Sequence, residues 1–562
     1  MATRRRQTRK NKESLKVIPI GGLHEIGKNM TLLQYGNDIM IIDCGMSFPD
    51  DQMFGIDAVI PDFSYVIENA DKIRGLVVTH AHEDHIGGIP FLLANVNCPV
   101  YASRLTIGFI KRKLEERKIK KPKLREIAPG DKIKLGCFKV EAVHTTHSVA
   151  DSFAFSIDTP VGKVFHTGDF KVDYTPVDGA PIDLARFAEI GKEGVQLLLA
   201  DSTNAARKGY TPSEKVVGDS LRNIFTNIDG RIIIATFSSN VHRVQKIIDI
   251  AVETGRKVAV SGRSMEAMVT IAQELGYLTI PPNTLVNLKK IKNVMDSQLV
   301  VITTGSQGEP MSALYRMASN EHKDVHIRRG DTIILSSTPV PGNEKSVSNI
   351  VNHLFELGAN VIYNDIAETH VSGHACEEEL KLIHSLIKPK FFMPVHGEAR
   401  HLQAHAAIAE NLGMNPEHII SAENGDIIEV KPNKVKISDE RVSAEAVMVD
   451  GLGVGDVGNV VLKERKDLSE GGCLMLAVTL DQATGEILSG PSISTRGLIY
   501  VKEYGELLRD AEHYAEKVLS ATPHKVLKSE VALKKLLREK MRSFILERTG
   551  RTPVIISIIL YL

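Results

Sequence analysis

VVTHAHEDHIGG, from Val77 to Gly88, is the stretch of sequence that decides the fold. A short apolar run, which predicts a strand, leads directly into three histidines and an aspartate within six residues. Imidazole and carboxylate groups are ligands of Zn²⁺ and also suit Mn²⁺. A tight strand-to-helix turn with this H-x-H-x-D-H spacing can present ligands to two adjacent metal ions. We therefore predict a dinuclear metal site, whose first ligands are His80, His82, Asp84 and His85.

The composition predicts a soluble globular protein of several domains, because 43% of its 562 residues are apolar and 25% are charged. Lys and Arg together number 69, as do Asp and Glu, so an anionic partner must meet local basic patches rather than a basic overall field. Two such patches are the tail at residues 4–12 and the run at residues 111–125. Patches of this kind are usually only solvated surface.

Compartment is indicated by the cysteines and by the apolar runs. The five cysteines are scattered and form no C-x-x-C pair, which predicts reduced thiols and a cytoplasmic protein. No apolar segment typical of export follows the first basic residues, and the longest apolar run, at residues 554–562, is too short to cross a bilayer. We therefore expect no membrane insertion.

Hydrophobic patterning divides the chain into three kinds of region. The first 200 residues are rich in predicted strands, and several of these end in His or Asp, where α/β folds commonly keep their chemistry. From about residue 215 to 365 strands and helices alternate, which predicts a parallel sheet covered by helices. From about residue 460 onward the pattern predicts a smaller mixed α/β domain.

A dinuclear centre needs more ligands than one turn supplies, and further candidates stand where predicted strands end. They are His147 in TTHS, Asp169 in HTGDF and His396 in PVHGE. His144 and His166 lie beside two of these and are the alternatives.

The chain also carries, in this order, the motifs THAHEDHIGG, HTTHS, HTGDF, ADSTN, HVSGHA and PVHGE. Together they resemble the β-CASP nucleases of the metallo-β-lactamase fold. The surrounding segments GGLHEIGKN, FPDDQMFGID, TGSQGEPMSAL, STPVPGN and VDGLGVGDVGNVVLKERK are similar to the bacterial ribonuclease J family. The resemblance extends from about residue 15 to residue 562.

The resemblance implies an α/β fold in which a metallo-β-lactamase αββα sandwich carries an inserted parallel α/β domain, the β-CASP domain, and a small α/β C-terminal domain. We predict a basic flexible tail at 1–14, the metallo-β-lactamase domain at 15–214 and 366–445, the β-CASP domain at 215–365, a linker at 446–460 and the C-terminal domain at 461–562.

The resemblance also implies how two Zn²⁺ ions, or alternatively Mn²⁺, would be held. Asp43, at the end of IMIIDCG, matches a carboxylate that orients the histidine cluster. One ion would be held by His80, His82 and His147, and the other by Asp84, His85 and His396, with Asp169 bridging the two.

The chemistry implied is two-metal phosphodiester hydrolysis, in which the ions lower the pKa of a shared water to give an attacking hydroxide and screen charge on the phosphoryl oxygens. Asp84, Asp201 and His374 are the residues that we expect to be catalytic. His374, oriented by Asp201, would either stabilise the growing charge or protonate the leaving 3′ oxygen. The sequence leaves both roles open.

A pocket for a 5′-monophosphate is implied by two short segments. Small residues there expose hydroxyls and backbone N–H groups, and the helix beginning near Ala375 would add its positive end. Each segment alone would usually be an ordinary helix cap. The first comprises His370, Val371, Ser372, Gly373 and His374, and the second comprises Ser238, Ser239 and Asn240.

Two features of the resemblance are weaker. Asp450 and the backbone carbonyls of Phe54 and Ile56 match a structural Ca²⁺ site, although a glycine-rich turn explains Asp450 equally well. His24 stands where the family commonly has glycine, so it would either add a metal contact or simply fill space.

Membership of this family would make the chain a metal-dependent ribonuclease with 5′-to-3′ exonuclease activity, preferring 5′-monophosphate RNA, and with endonuclease activity, in rRNA maturation and mRNA decay. The basic run at 111–125 would guide the RNA backbone. The family also implies a homodimer or homotetramer formed through the C-terminal domain, and contacts with other RNA-degradation enzymes.

Three other functions stay open at this point. They are a DNA-processing β-CASP nuclease, a non-catalytic RNA-binding partner subunit, and a lactamase or thioesterase that shares only the fold. The large inserted domain and the HVSGHA motif disfavour the last of these, because a small-molecule hydrolase needs neither.

Overall fold

The computed structural model describes residues 13–50, 52–177, 179–309, 311–340, 342–364, 366–498 and 505–562. The predicted basic tail up to residue 12 lies outside this part of the chain. The chain divides into two compact units. The first unit contains the chain up to Phe48 together with Val59–Val447, and the second unit contains Pro49–Ala58 and Met448–Leu562.

The chain as far as Asp201 is rich in strands, as predicted. The helices here are α1 (Ser64–Glu68), α2 (Glu83–Ile86), α3 (Ile89–Asn95), α4 (Arg104–Glu116) and α5 (Leu184–Glu193). The strands are β1 (Leu15–Gly21), β2 (Met30–Tyr35), β3 (Asp38–Ile42), β4 (Ala58–Ile60), β5 (Ile73–Val77), β6 (Pro99–Ala102), β7 (Lys123–Glu126), β8 (Lys132–Leu135), β9 (Phe138–Thr145), β10 (Ser152–Thr159), β11 (Gly162–His166) and β12 (Val195–Asp201).

Strands and helices then alternate, and the strands form a five-stranded sheet of order β14-β15-β13-β16-β17 in which every pairing is parallel. Strands of such a sheet are buried on both faces and read as continuous apolar runs, as IIIAT does in β13. The predicted inserted parallel domain is confirmed. Its elements are α6 (Glu214–Thr226), β13 (Ile232–Thr236), α7 (Val241–Glu253), β14 (Lys257–Ser261), α8 (Arg263–Glu274), β15 (Leu299–Thr303), α9 (Ala313–Ala318), β16 (Thr332–Ser336), α10 (Glu344–Glu356) and β17 (Asn360–Ile362).

The first unit is completed by α11 (Glu377–Ile387), β18 (Phe391–Val395), α12 (Ala399–Asn411), β19 (Asp426–Lys431) and β20 (Lys434–Arg441). These strands join the earlier ones in two sheets. One has the order β20-β19-β1-β2-β3-β5-β6-β7 and the other has the order β18-β12-β11-β10-β9-β8. Short 3₁₀ turns lie at Ala70–Lys72, Leu288–Asn293, Asp296–Gln298 and Pro416–His418.

The two sheets pack face to face around one hydrophobic core. Met40 and Val77 of the first sheet meet Phe155 and Leu199 of the second in this core. Helices α5, α11 and α12 cover the outer face of the second sheet through a separate apolar cluster that includes Phe187. Helix α4 packs beside β6 and β7 of the first sheet. The predicted αββα sandwich is therefore confirmed.

The second unit has its own core. Its elements are β21 (Val447–Asp450), β22 (Gly453–Val454), α13 (Asn459–Gly471), β23 (Cys473–Leu480), β24 (Ile487–Arg496), α14 (Gly505–Ser520), α15 (His524–Leu527), α16 (Glu530–Thr549) and β25 (Val554–Tyr561). Strand β23 pairs antiparallel with β24 and parallel with β25. Buried leucines of β23 pack against Leu533 and Leu537 of α16.

Strand ends bring the predicted ligands to one edge of the second sheet. Strands β11, β12 and β18 are parallel neighbours, and β9 runs in the same direction because two antiparallel pairings separate it from β11. The residues that follow these four strands therefore meet at the same edge. None of the described helices is long and apolar enough to cross a bilayer.

Close backbone packing holds the HAHEDH turn against the loop after β3. The Gly45 N–H donates to the Asn29 carbonyl, and the Asn29 N–H donates to the Asp84 carbonyl. A Cβ added at Gly45 would overlap this Asp84 carbonyl, which is backbone and cannot rotate away. The metal turn therefore requires glycine at this position.

We expect Gly45→Ala to lower the free energy of unfolding by about 2 to 3 kcal/mol and to reduce the metal bound per chain. Denaturant unfolding and elemental analysis would measure the two effects. Gly218→Ala in α6 is the control, because its Cβ would meet the flexible side chain of Lys246. Alanine there should leave stability unchanged or raise it by up to about 1 kcal/mol. Equal losses in both variants would contradict the steric argument.

Candidate metal centre

The HAHEDH turn joins β5 to the short helix α2. His82 is the residue before the helix, and its carbonyl accepts the N–H groups of His85 and Ile86. The chain after β3 runs alongside, with the Asp43 N–H donating to Val77 and the Cys44 N–H donating to His85. These hydrogen bonds fix the backbone of the turn and therefore the directions in which its side chains point.

Two groups of possible metal ligands share Asp169. In each group the candidate ligand atoms lie within 4.8 Å of one another. The first group is His80, His82, His147 and Asp169, and the second is Asp84, His85, Asp169 and His396. The structure thus brings together all seven residues that the resemblance implied, with Asp169 in the shared position.

Short distances tie the groups together. In the first, the His82 Nδ1 atom lies 3.0 Å from His80 Nε2 and 3.1 Å from His147 Nε2. In the second, His396 Nε2 lies 3.1 Å from Asp84 Oδ2. Asp169 Oδ2 lies 3.2 Å from His85 Nε2 and 3.6 Å from the Nε2 atoms of His80 and His396.

Asp169 is the electrostatic centre of the site. Burial alone would raise its pKa, but the imidazoles of His396, His85 and His80 outweigh this and hold the pKa well below its usual range. Its Oδ2 atom is completely buried and has no hydrogen bond of good geometry within the described part of the chain. A buried anionic oxygen of this kind needs a cation.

The histidines divide into two electrostatic classes. Burial holds the pKa of His80 and His147 well below the usual value, and that of His82 at about 4, so these rings are neutral and offer lone pairs. Burial opposes charge on His396 as well, but the carboxylates of Asp169, Asp201 and Asp84 raise its pKa to about 10. Neutral imidazoles, carboxylates and an unsatisfied carboxylate oxygen form a donor set that fits Zn²⁺ or Mn²⁺.

Asp43 lies where a ligand-orienting carboxylate was predicted. It accepts hydrogen bonds from the Thr79 N–H at 2.7 Å and the Thr79 hydroxyl at 2.8 Å. Its Oδ2 atom lies 2.8 Å from His85 Nδ1. This bond places the proton of His85 on Nδ1 and leaves Nε2 free to face Asp169.

The sequence did not predict three other groups that orient the candidate ligands. The Gly373 carbonyl oxygen lies 2.7 Å from His147 Nδ1, and the Thr203 hydroxyl lies 2.5 Å from His396 Nδ1. The Asn29 amide donates to the Asp84 carbonyl at 3.1 Å. Thr203 lies within ADSTN, so that motif offered a signal, whereas a backbone carbonyl such as that of Gly373 leaves no trace in residue type.

The alternatives His144, His166 and His24 lie outside both ligand groups. His144 and His24 contact the backbone carbonyls of Ala180 and Ala422. His166 Nδ1 accepts the Gly168 N–H at 3.0 Å, and burial lowers its pKa to about 4. Each ring therefore has a local structural partner.

His374 and Asp201 form a pair beside the metal groups. His374 Nδ1 lies 2.8 Å from Asp201 Oδ2 and 3.9 Å from Asp169 Oδ2. Burial opposes protonation of His374, yet Asp201 raises its pKa above the usual value. The His374 and His396 rings stack with their centroids 5.3 Å apart. These residues and Asp169 form a third group that could hold a metal ion.

The HVSGH segment closes over the ligands. Ser372 accepts hydrogen bonds from the Asn204 amide at 2.8 Å and from the His374 N–H at 3.2 Å. Val371 is buried. Any side chain at Gly373 would run into His147, since a Cβ there would lie 2.5 Å from the ring. The expected helix after this segment is α11, which begins at Glu377.

The second predicted half of the phosphate pocket follows β13. Ser238 and Ser239 are half-buried, and the Asn240 side chain accepts the Arg243 N–H as the N-cap of α7. Phe237 and His370 connect this loop to HVSGH, with ring centroids 6.3 Å apart. Burial together with the charges of Arg243, Lys171 and Arg207 holds the pKa of His370 well below its usual value. Three cations therefore act on His370.

Arg465 contacts two of the residues predicted for the calcium site, which stays a prediction. In the second unit, the Arg465 guanidinium donates to the Phe54 carbonyl at 2.9 Å and lies 2.5 Å from Asp450 Oδ2. The Ile56 N–H donates to Met53 in a tight turn. A side-chain cation thus contacts two of the oxygens predicted to bind Ca²⁺, and the residues VDGLGVGDVG around Asp450 offered no signal of it.

Four family models match the chain. They are the Metallo-beta-lactamase superfamily at residues 25–208, the Ribonuclease J beta-CASP domain at 229–354, the Zn-dependent metallo-hydrolase RNA specificity domain at 359–420 and the Ribonuclease J C-terminal domain at 460–562.

Curated relatives match over nearly the whole length. The chain is 44% identical over 545 residues to "Ribonuclease J 1" of Streptococcus pyogenes serotype M3, covering 97% of each protein. It is 40% identical over 553 residues to "Ribonuclease J2" of Bacillus subtilis strain 168, covering 98% of this chain and 99% of the relative. Against "Ribonuclease J" of Synechocystis the identity is 43% over 490 residues, with 87% and 76% covered.

Among solved structures, a protein of unknown function from Enterococcus faecalis V583 is similar, with a TM-score of 0.52 and 17% identity over 74% of this chain and 100% of that one. This likeness concerns the fold alone. The family models and the curated relatives agree with each other and with the residues gathered around Asp169. The chain belongs to the ribonuclease J family of metal-dependent β-CASP ribonucleases.

Proposed function

We propose that this chain hydrolyses single-stranded RNA from its 5′ end, prefers a 5′-monophosphate and also cuts internally. The observation that carries the proposal is the convergence on Asp169 Oδ2, which lies within 3.9 Å of nitrogens from both ligand groups and from His374. A candidate metal site and an imidazole whose pKa is raised by Asp201 thus meet at one point, an arrangement suited to phosphodiester hydrolysis.

The metal ions in this proposal are two Zn²⁺, with Mn²⁺ as the alternative. When bound, they would supply hydroxide at neutral pH and screen charge on a phosphoryl group. Asp43 and the Gly373 carbonyl fix the tautomers of the rings that they contact. The ligands would be His80, His82 and His147 on one side, Asp84, His85 and His396 on the other, and Asp169 between them.

His374 is the proposed proton-carrying group. Its Nδ1 atom is bonded to Asp201, so Nε2 is the nitrogen left to act on the substrate. Asp201 holds the ring in place and favours its protonated form. From this position His374 either donates a proton to the leaving 3′ oxygen or hydrogen-bonds a phosphoryl oxygen, and both actions need the same proton.

The preference for a 5′-monophosphate would come from the positive region around His370. Arg243 is fully buried and paired with Glu214, and it contributes to the field at His370 together with Lys171 and Arg207. Ser372, Ser238 and Ser239 would add hydroxyls. Charge-assisted hydrogen bonds from these groups would hold the terminal phosphate.

The basic run on α4 and β7 would guide the RNA backbone toward the site. Lys113 binds Glu83 of the HAHEDH turn, with an N–O distance of 2.7 Å to Oε2. The run thus starts beside the metal turn, and Lys111, Lys118 and Lys121 are exposed. We propose that the protein acts in the cytoplasm, in rRNA maturation and mRNA decay, with other RNA-degradation enzymes as partners.

Oligomerisation through the second unit is supported by an exposed apolar face. Strand β25 lies at the edge of its sheet, and Ile556, Ile558 and Leu560 are 42%, 45% and 57% exposed. The alternate residues Ile555 and Ile559 are buried in the core. A contiguous exposed apolar strand face is typical of an interface, so we propose a homodimer or homotetramer formed here.

His82→Ala should reduce RNA cleavage by at least about 100-fold, because the first ligand group loses its central imidazole. Chelation should have an effect at least as large, because it removes the metal itself. Elemental analysis and gel-based digestion of 5′-monophosphate RNA would measure this. His144→Ala is the control, because His144 binds a backbone carbonyl outside the ligand groups. Faster cleavage of DNA of the same sequence, or full activity in His82→Ala, would contradict the proposal.

His370→Ala should lower the cleavage rate of 5′-monophosphate RNA by about 10-fold, because a group that meets a charged phosphate is lost. The cleavage rate should fall less on the same RNA with a 5′-triphosphate and on a circular form without a 5′ end, because neither fully occupies the phosphate pocket. Equal losses on the three substrates would argue against a 5′-phosphate pocket at this position.

Ile558→Lys should reduce the oligomeric mass measured by light scattering, because it places a charge in the apolar face of β25. Val531→Lys is the matched control, since Val531 is 81% exposed on α16 of the same unit. The control should keep the mass of the wild type. An unchanged mass in Ile558→Lys, or an equal loss in the control, would contradict an interface at β25.

A further inference from the structure

A cavity of about 280 Å³ lies in the first unit between the chain after β11 and the chain after β12. Its walls are the segments 172–175 and 210–213. Each segment contributes one exposed aromatic side chain, Tyr174 at 61% and Tyr210 at 54% exposure. Aromatic residues are only 5% of this chain and tryptophan is absent, so two exposed rings on one cavity need an explanation.

Hydrogen bonds hold the two walls together. The Ser213 hydroxyl donates to the Thr175 carbonyl at 2.9 Å. The Lys171 ammonium, which is almost fully buried, donates to the Pro212 carbonyl at 3.1 Å. The cavity is therefore preformed, and a ligand would not have to order it.

The cavity is attached directly to the reaction centre. The Thr211 hydroxyl donates to the His374 carbonyl at 2.6 Å. The buried Glu379 carboxylate accepts the Val172 N–H at 2.7 Å and the Thr211 N–H at 2.8 Å, one from each wall. A ligand in the cavity would thus lie beside the segment that carries His374.

Cations accompany the aromatic rings. Arg207 and Lys208 are exposed directly before Tyr210, and Lys215 is exposed just after the wall. The N–H groups of α11 fix this loop, with Glu377 donating to Arg207 and Glu378 donating to Gly209. Aromatic rings flanked by exposed cations are the combination with which proteins bind single-stranded nucleic acid.

We propose that Tyr174 and Tyr210 form a nucleobase subsite, in which an unpaired base of the RNA substrate stacks while its backbone lies at His374. The inference rests on the proposed ribonuclease function and deepens it. The cavity volume is close to the lower limit of about 300 Å³ for ligand pockets. Stacking tolerates any base, and it requires a base that has left a duplex, so the subsite selects single strands without selecting sequence.

The test uses the full-length protein with bound metal and a 5′-monophosphate RNA whose nucleotides are replaced by abasic ones, one position at a time. Tyr174→Ala and Tyr210→Ala should each raise KM about 5- to 100-fold, with a smaller change in kcat. Tyr174→Phe and Tyr210→Phe keep the ring and should stay within about 3-fold of wild type. Phe355→Ala is the control, since Phe355 is a 48% exposed ring on α10.

When the abasic nucleotide is the one whose base would occupy the subsite, the KM of the wild type should rise by a similar factor. On that RNA the wild type and the alanine variants should have the same KM. Alanine variants with wild-type KM, or with the same loss on every abasic RNA, would overturn the nucleobase subsite while leaving the proposed function intact. A wild-type protein that fails to cleave any RNA would overturn both.

Discussion

The buried carboxylate of Asp169 is the constraint on which the rest of the structure depends. Burying an ionised oxygen without partners costs several kcal/mol, so the fold must surround it with groups that carry or attract positive charge. These groups lie at or just after the ends of strands β5, β9, β11, β12 and β18. A contact at the Nδ1 atom fixes the ring of His85, His147, His374 and His396, so that Nε2 faces the site.

The peptide groups around His374 organise the substrate side in the same way. The His374 carbonyl accepts hydrogen bonds from the Asn204 amide and the Thr211 hydroxyl, and its N–H donates to Ser372. Glu379, in the first turn of α11, accepts the backbone N–H groups of Val172, Thr211 and Cys376. Burial raises the pKa of Glu379, whereas these three hydrogen bonds lower it. One short segment thus positions the His374 imidazole, the HVSGH loop and the wall of the tyrosine cavity.

Much of this organisation could be predicted from the sequence, partly from its pattern and partly from a resemblance. The parallel inserted sheet follows from apolar runs and helix spacing, and the candidate ligand residues follow from His and Asp at strand ends. The αββα sandwich was implied by the resemblance to the β-CASP nucleases. The groups that orient these ligands could not be predicted. Every residue has a backbone carbonyl, so the one at Gly373 is not marked by residue type, and Thr203 is an ordinary turn residue. Arg465 was missed because only the folded second unit brings it to Asp450. The segment Pro49–Ala58 belongs to that unit through long-range packing, which local pattern does not encode.

The contact between Gly373 and His147 joins the HVSGH segment to the first ligand group. Gly373 lies in the HVSGH segment, and its carbonyl oxygen contacts a ring of the first ligand group. An interaction that fixes the HVSGH segment therefore also fixes the His147 ring, and a metal bound to His147 also fixes the segment. Under the proposed function, thermodynamic reciprocity would then couple affinity for the metal to affinity for the 5′ end of RNA. Loss of the metal would therefore weaken the hold on the substrate as well as the chemistry.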